Sequence, residues 1–311
     1  MKYIVTGGAG FIGSHIVEEL VKKRHEVVVL DNLVSGKREN IEPFLANANV
    51  TFVQGSITDL PLLTRIFEGA DGIFHEAAIA SVPRSVENSL ETNDINITGT
   101  LNTLIAARDC GVKKVVFASS AATYGEDPHL PKTEGMLPEV LSPYAVAKLA
   151  GEYYCSVFAR LYDLDTVSLR YFNVFGPRQD PGSQYSGVIS KFITNVISHK
   201  PLSIYGDGKQ TRDFVFVKDV VQANVRAMES DTTGVFNVAY GKRINLRELA
   251  SDIMEITGIT VPLTYEPARA GDVRDSLADI TKAQTAFGYD PEYTVRSGLE
   301  KTIGWFKNQS S

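Results

Sequence analysis

The sequence holds little of what would mark a secreted, metal-binding or nucleic-acid-binding protein. Only two of its 311 residues are cysteine, Cys110 and Cys155. Two thiols so far apart cannot build a disulfide framework, and a reducing compartment is the simpler reading. The five histidines, His15, His25, His75, His129 and His199, are scattered without ligand spacing, so no metal site is predicted. Positive charge is in deficit, with 31 Lys and Arg against 37 Asp and Glu and a net charge of −6. That removes the general electrostatic case for a nucleic-acid partner and leaves room only for a local basic pocket. No apolar run approaches the roughly 20 residues needed to cross a bilayer. Met1 to Val5 passes directly into glycines, without the length or cleavage pattern of a signal peptide. With 43% hydrophobic and 22% charged residues, the composition is not that of a disordered chain. These absences predict a soluble cytoplasmic protein with no membrane partner, built as one large or two closely joined domains.

What is present is an alternation of short apolar strands with helical stretches. Tyr3–Thr6, His25–Leu30, Val50–Gln54, Gly72–His75 and Val115–Ala118 read as strands. The continuous run Val27-Val28-Val29 is the pattern of a parallel strand covered on both faces. Strand and crossover helix repeating in this way predict an α/β fold around a doubly wound parallel sheet of Rossmann type. Beyond Leu169 the alternation weakens. Residues 173–187 read as a long loop, 188–199 and Asn245–Thr257 as helices, and Gly206-Asp207-Gly208 as a turn. The predicted division is a dinucleotide-binding domain over 1–172, to which 213–241 returns. A smaller C-terminal α/β substrate domain takes 173–212 and 242–311.

The strongest local signal is Thr6-Gly7-Gly8-Ala9-Gly10-Phe11-Ile12-Gly13, between a buried-type strand and an amphipathic helix. Gly7 allows the tight turn, Gly10 lets a pyrophosphate approach the backbone, and Gly13 allows close helix–sheet packing. A flexible glycine turn is the bland alternative, and the flanking strand and helix weigh against it. Asp31 stands at the tip of the second strand, where a carboxylate can bind both ribose hydroxyls of NAD and repel the extra phosphate of NADP. Lys37 and Arg38 lie close enough in sequence to complicate that choice.

Tyr144 and Lys148 are four residues apart on a predicted helix and therefore share a face. A free phenol ionises near pH 10, so service as a base near neutrality needs about 4 kcal/mol of help from nearby cations. Ser119 and Ser120 follow a strand, at the sheet edge where ligands of open α/β folds bind. Each of these residues alone is more often structural; together, downstream of the glycine turn, they form a candidate proton-transfer set.

In this combination the chain resembles the extended short-chain dehydrogenase/reductase family over essentially its whole length. The resemblance is carried by Thr6–Gly13, His75-Glu76-Ala77-Ala78, and Asn96-Ile97-Thr98-Gly99-Thr100 read as a helix start. It is carried further by Ser119-Ser120-Ala121-Ala122-Thr123-Tyr124-Gly125 and by Tyr144 with Lys148. Arg170-Tyr171-Phe172-Asn173-Val174-Phe175-Gly176-Pro177-Arg178-Gln179 is similar to the nucleotide-sugar 4-epimerase branch, the UDP-glucose/UDP-galactose enzymes and their N-acetylated relatives. The resemblance implies Tyr144, Lys148 and Ser120 as catalytic residues. It implies NAD bound by Gly7, Gly10, Phe11, Ile12, Gly13, Asp31, Asn32, Ser35, Gly36, Ser56, Ile57, Ala77, Ala78, Asn96, Tyr144, Lys148 and Tyr171. For a UDP-sugar it implies Ser81, Arg84, Ser120, Tyr144, Asn173, Val188, Tyr205, Arg212, Arg269, Asp272 and Ser276, with the two late arginines as pyrophosphate clamps. The implied chemistry is epimerisation at C4: Tyr144 takes the hydroxyl proton, NAD takes the hydride, and NADH returns it to the other face of a transient 4-keto sugar. A homodimer through a four-helix bundle is implied as well. Alternatives are another nucleotide-sugar epimerase or reductase, or a non-enzymatic dinucleotide-binding protein.

Several positions depart from the family pattern. Ala121-Ala122 stands where 4,6-dehydratases carry an Asp-Glu pair, which removes the acid and base needed to eliminate water. Ser276 and Ala80 replace the bulky tyrosine and the lysine of glucose/galactose-restricted enzymes, leaving room for a 2-acetamido group. Ser56 replaces the usual adenine-contacting aspartate.

Overall fold

The computed structural model describes residues 1–180, 187–267 and 274–309. Seven strands make one parallel sheet: β1 (Lys2–Thr6), β2 (Glu26–Asp31), β3 (Val50–Gln54), β4 (Gly72–His75), β5 (Lys114–Ser120), β6 (Asp165–Tyr171) and β10 (Gly234–Val238). Their spatial order is β10-β6-β5-β4-β1-β2-β3. The chain winds outward from β1 through β2 to β3, then crosses back and winds the other way from β4, so the direction reverses between β1 and β4. In a doubly wound Rossmann-type sheet, ligands bind in the crevice beyond the carboxyl ends of the strands at that reversal. The remaining strands, β7 (Asn173–Phe175), β8 (Leu202–Tyr205), β9 (Thr211–Phe216), β11 (Arg243–Asn245) and β12 (Leu263–Glu266), form two small sheets. One has the order β11-β9-β7 and the other pairs β12 with β8.

The helices are α1 (Phe11–Lys22), α2 (Glu42–Leu45), α3 (Leu60–Phe67), α4 (Val82–Glu87), α5 (Ser89–Asn93), α6 (Gly99–Asp109) and α7 (Pro143–Leu161). After them come α8 (Val188–Ile197), α9 (Val217–Glu229), α10 (Leu246–Thr257), α11 (Thr281–Phe287) and α12 (Val295–Gln309). Alternate residues of the main strands feed two cores. Val5, Val27, Val29, Phe74, Val116 and Leu169 face α1 and α9. Ile4, Leu30, Ile73, Val115 and Phe117 face α3, α6 and α7. Burying such side chains on both faces is worth about 1.5–3 kcal/mol each, and it is why the strands lack a polar alternation. A third core, around Phe192, Phe216, Leu249 and Ile303, holds the small sheets to α8, α10 and α12. Among the described residues no helix is long and apolar enough to cross a membrane.

Two expectations change in detail. The segment Asn96–Thr100 does contain the start of α6, at Gly99, but not a fresh helix start: Asp94–Thr98 is a π-helical turn that joins α5 to α6 without a break. Wide turns of this kind often mark functional sites, and here the turn directs Asn96 inward. The stretch from 173 is not wholly loop, because its first three residues are β7, paired in parallel with β9. A three-residue strand is too short for any alternation to show.

Candidate functional site

The glycine turn closes at the end of β1 by a hydrogen bond from Gly7 N–H to the Leu30 carbonyl, 2.7 Å. Gly7 has a φ of +67°, and a β-carbon there would lie 2.7 Å from the Ala77 nitrogen; one at Gly13 would lie 2.3 Å from the Gly7 carbonyl oxygen. Both positions therefore require glycine. Gly10 caps α1 without a side-chain hydrogen bond, so the first-turn N–H groups and the positive dipole end stay available to an anion. Asp31, buried at the tip of β2, accepts from Ala9 N–H at 3.0 Å and Leu33 N–H at 2.8 Å, and Gly36 packs directly on its carboxylate. Burial raises its pKa, while the two N–H groups oppose the rise. Lys37 pairs with Asp180 at 3.3 Å and Arg38 with Glu42 at 3.1 Å. The two cations that complicated the cofactor choice are thus engaged elsewhere, and the cradle fits a dinucleotide with a free ribose diol. Asn32 accepts from Val34 N–H through its side-chain oxygen, and the Ser56 hydroxyl bonds Thr58.

Behind the cradle runs a fully satisfied polar brace. His75 Nδ1 and Nε2 bond the hydroxyls of Thr6 (2.7 Å) and Thr100 (3.0 Å), and burial holds its pKa down to about 3, with Lys148 lowering it further. The histidine is thus packed, neutral and without a role as a metal ligand. Asn96 accepts from Ile79 N–H and donates to its carbonyl, fixing the segment of Ala77 and Ala78. Ile57 packs against Gly99, whose missing side chain makes the space.

Tyr144 and Lys148 lie on α7, which Ser142 caps by accepting Ala145 N–H and Pro143 opens. Ser85, fully buried on α4, accepts the Tyr144 N–H at 3.1 Å and locks the start of that helix. Gly151 lets α7 approach β5, since a β-carbon there would meet the Phe117 ring at 2.4 Å. Lys148 Nζ donates to the Ala118 carbonyl at 2.6 Å and sits 5.8 Å from the Tyr144 ring centre. Ser120, the last residue of β5, is hydrogen-bonded to the Tyr144 side chain and caps the short turn that holds Ala121 and Ala122. The three expected catalytic side chains therefore meet at the carboxyl edge of the sheet.

The electrostatics differ from the simple expectation. Burial pushes the Tyr144 phenol above its ordinary value; the Ser120 hydrogen bond pulls it down and the Glu76 carboxylate pushes it up again. Burial lowers Lys148 to about 8 against the opposing pull of Glu76 and Glu152. The lysine alone does not supply the lowering expected from its spacing to the tyrosine, because desolvation outweighs the neighbouring charge. Glu76 itself is pushed up to about 7 by burial, while Tyr171 and Lys148 draw it down. Tyr171, read from sequence as a cofactor contact, donates its hydroxyl to Glu76 at 2.7 Å and accepts from Asn224 at 2.7 Å.

Glu76, Ser85, Glu152 and Asn224 were not singled out by sequence. A carboxylate directly after an apolar strand, in His75-Glu76-Ala77-Ala78, is the one local signal that could have found Glu76. Glu152, one turn beyond Lys148, is buried and takes both guanidinium contacts of Arg170, at 2.8 and 2.7 Å, as well as the Ser119 hydroxyl.

Around β9, Asn173 donates to the Asp213 carbonyl at 3.1 Å, and Ser276 N–H donates to the Thr211 carbonyl at 3.1 Å, beside Arg212. Asn173, Arg212 and Ser276 are thereby gathered around one small sheet. Ser81 caps α4, and Arg84 is paired with Glu91 at 2.7 Å. Val188 opens α8 and Tyr205 ends β8. Arg269 and Asp272 lie outside the described residues. Arg178, in the motif after β7, reaches back to Glu18 and the Ser14 carbonyl, tying that segment to α1. Among the described residues no group of three or more His, Cys, Asp or Glu side chains is arranged to hold a metal ion.

Residues 3–239 match the model of the NAD dependent epimerase/dehydratase family. The UDP-glucose 4-epimerase of Mycolicibacterium smegmatis is 40% identical over 313 residues, covering 100% of each chain. A solved UDP-N-acetylglucosamine 4-epimerase from Methanobrevibacter ruminantium, in complex with UDP-N-acetylmuramic acid, superposes with a TM-score of 0.96. It is 42% identical, over 99% of this chain and 98% of that one. The UDP-glucose 4-epimerase of Thermus thermophilus, in complex with NAD, gives a TM-score of 0.90 and 39% identity over 99% of each chain.

Proposed function

Because the chain belongs to the NAD dependent epimerase/dehydratase family and is an NAD-using enzyme of it, we propose that it inverts C4 of a UDP-hexose. The substrates proposed are the UDP-glucose/UDP-galactose pair and the corresponding N-acetylhexosamine pair. The observation that carries this reading is the meeting of Ser120, Tyr144 and Lys148 beside the glycine cradle. Ala121 and Ala122 occupy the turn where a dehydratase would need an acid and a base. Gly7, Gly10, Gly13 and Asp31 would hold NAD, which when bound supplies a reversible hydride acceptor next to the sugar. Tyr144 moves the proton of the 4-hydroxyl at its phenolic oxygen. Ser120 donates to or accepts from the same oxygen, and Lys148 presents a cation to the ribose side. Arg212 carries positive charge toward the pyrophosphate, and Ser276 beside it leaves space for the 2-substituent.

The names of the relatives support a UDP-sugar, and both plain and N-acetylated hexoses occur among them. The test is turnover of the four UDP-hexoses and of UDP-glucuronate, with separation of the products. Epimers of the four neutral sugars support the proposal; turnover of UDP-glucuronate alone overturns its substrate class. Ser276→Tyr is expected to cut the rate on the N-acetyl pair by about tenfold or more while sparing the plain pair, by filling the pocket. Equal loss on both pairs sinks the steric account.

A homodimer is part of the same proposal. Val146, Tyr153, Val157 and Leu161 form an exposed stripe along α7, with Tyr153 60% and Leu161 66% accessible, and Leu90 of α5 is 87% accessible. Such a surface fits pairing with its own copy in a four-helix bundle. Sedimentation at micromolar concentration is expected to give the dimer mass; a monomer at all concentrations contradicts it.

A further inference from the structure

Arg178 lies in the Gly176-Pro177-Arg178-Gln179 turn after β7 and has a left-handed backbone, φ +66°, that non-glycine residues rarely adopt. Gly176 lets the chain enter this turn close against α9, since a β-carbon there would lie 2.5 Å from Val217 Cγ1. The turn grips one face of α1. The Arg178 guanidinium donates to Glu18 at 2.7 Å and to the Ser14 carbonyl at 3.1 Å, and the Pro177 carbonyl accepts from His15 Nε2 at 2.9 Å. Residues 14, 15 and 18 lie on the face of α1 opposite Ile16, Val17 and Leu20, which pack into the sheet core, yet Ser14 and His15 are buried as well. Glu18 also takes Lys22 at 2.6 Å and Lys218 of α9 at 3.1 Å, so one carboxylate joins α1, α9 and the turn. The His15 ring meets the ring of Phe11, the first residue of α1, edge-on with centroids 6.1 Å apart. At the other end of the segment, Asp180 pairs with Lys37 at 3.3 Å, and Lys37 N–H donates to the Ala9 carbonyl in the glycine turn. The same short segment therefore holds both the helix that leaves the cradle and the loop whose Gly36 packs on Asp31.

We propose that the Gly176–Asp180 segment is a clasp that sets the aim of the cofactor cradle, with Arg178 a positioning residue for NAD that acts through Glu18 and α1. The inference rests on the proposed function only in placing NAD on the glycine cradle, and it holds whichever sugar is turned over. The free N–H groups and the dipole of a helix act on a phosphate at close range, and their effect falls off within the first turn. A small slide or rotation of α1 therefore weakens the grip on the dinucleotide. Apolar packing of Ile16, Val17 and Leu20 holds α1 to the sheet but is non-directional. The charge-assisted hydrogen bonds of Arg178 add the missing direction. The left-handed backbone at Arg178 persists because these contacts over-determine it, so releasing the guanidinium releases the turn. By linkage, a turn that favours the NAD-binding placement of α1 is itself favoured by bound NAD.

The test reads cofactor affinity rather than turnover. NAD is stripped from the purified protein and its rebinding is followed by calorimetry in the parent, Arg178→Met, Glu18→Gln and the double variant. Each single change is expected to weaken NAD binding about tenfold, and the double change no more than either, because both remove one contact. Lys218→Met takes another partner from Glu18 without touching the turn, and should stay within about twofold of the parent. Unchanged affinity in folded Arg178→Met, full additivity in the double variant, or an equal loss in Lys218→Met overturns the proposal. The parent answers even if the variants do not fold. The Gln179 amide donates to the Gly176 carbonyl within the turn, and its hydrogen exchange should slow by about tenfold when NAD is added. No slowing overturns the coupling. A parent that binds no NAD sinks the placement of the cofactor and the clasp together, whereas unchanged variants beside a binding parent sink the clasp alone.

Discussion

Two carboxylates influence Lys148, and they are neutralised in different ways. Glu152, one turn further along α7, meets Arg170 through two charge-assisted hydrogen bonds and also receives Ser119. Glu76, on the cofactor side, has only the neutral Tyr171 hydroxyl as its hydrogen-bond donor among the described residues. The first arrangement is a closed ion pair that joins α7 to β6 and leaves no net charge. The second is a carboxyl held by a neutral hydroxyl, and burial pushes its pKa up to about 7. The contrast is between a buried carboxylate with a cationic partner and a partly buried one with a neutral partner.

The largest effect expected from this contrast is on stability. Arg170→Met leaves Glu152 buried without a counter-charge and should cost about 3–5 kcal/mol, read by urea unfolding. A loss under about 1 kcal/mol would mean that Glu152 is not held by charge and would erase the distinction. At Glu76 the expected change depends on pH. Burial raises its folded pKa to about 7, so folding favours the protonated acid, and the parent loses stability as pH rises from about 4.5 to 7. Glu76→Gln lacks this loss. The stability difference between variant and parent should move toward the variant by roughly 2 kcal/mol between about pH 5 and pH 8. A difference constant across that window would show that Glu76 ionises as freely in the fold as outside it. Smallest should be the double change Arg170→Met with Glu152→Leu, which removes both charges and is expected within about 1–2 kcal/mol of the parent.

The same contrast shows which features local sequence carries. Five strands of the large sheet were legible because burial on both faces forces continuous apolar runs such as Val27–Val29. Gly7 and Gly13 were legible because no other residue fits where a β-carbon would strike backbone. Tyr144 and Lys148 could be paired because helical spacing alone puts them on one face. Their electrostatics could not be read, because burial and residues distant in sequence set it: Glu76 acts on both, and it meets Tyr171 95 residues on. The π-helical turn at Asp94–Thr98 was missed for a related reason. Its extra residue is accommodated by the inward hydrogen bonds of Asn96 to Ile79, which no periodicity reveals.

On the proposed function, the group at the end of β5 and the start of α7 moves a proton on a UDP-hexose, and this proton transfer can be measured. It is tested most directly by comparing the parent with Tyr144→Phe on UDP-glucose and UDP-N-acetylglucosamine, with NAD present and the C4 epimers separated and counted. The parent should form the epimers and the variant should be slower by about 100-fold or more, the usual contribution of a positioned acid–base group. Equal rates in the two proteins would contradict it.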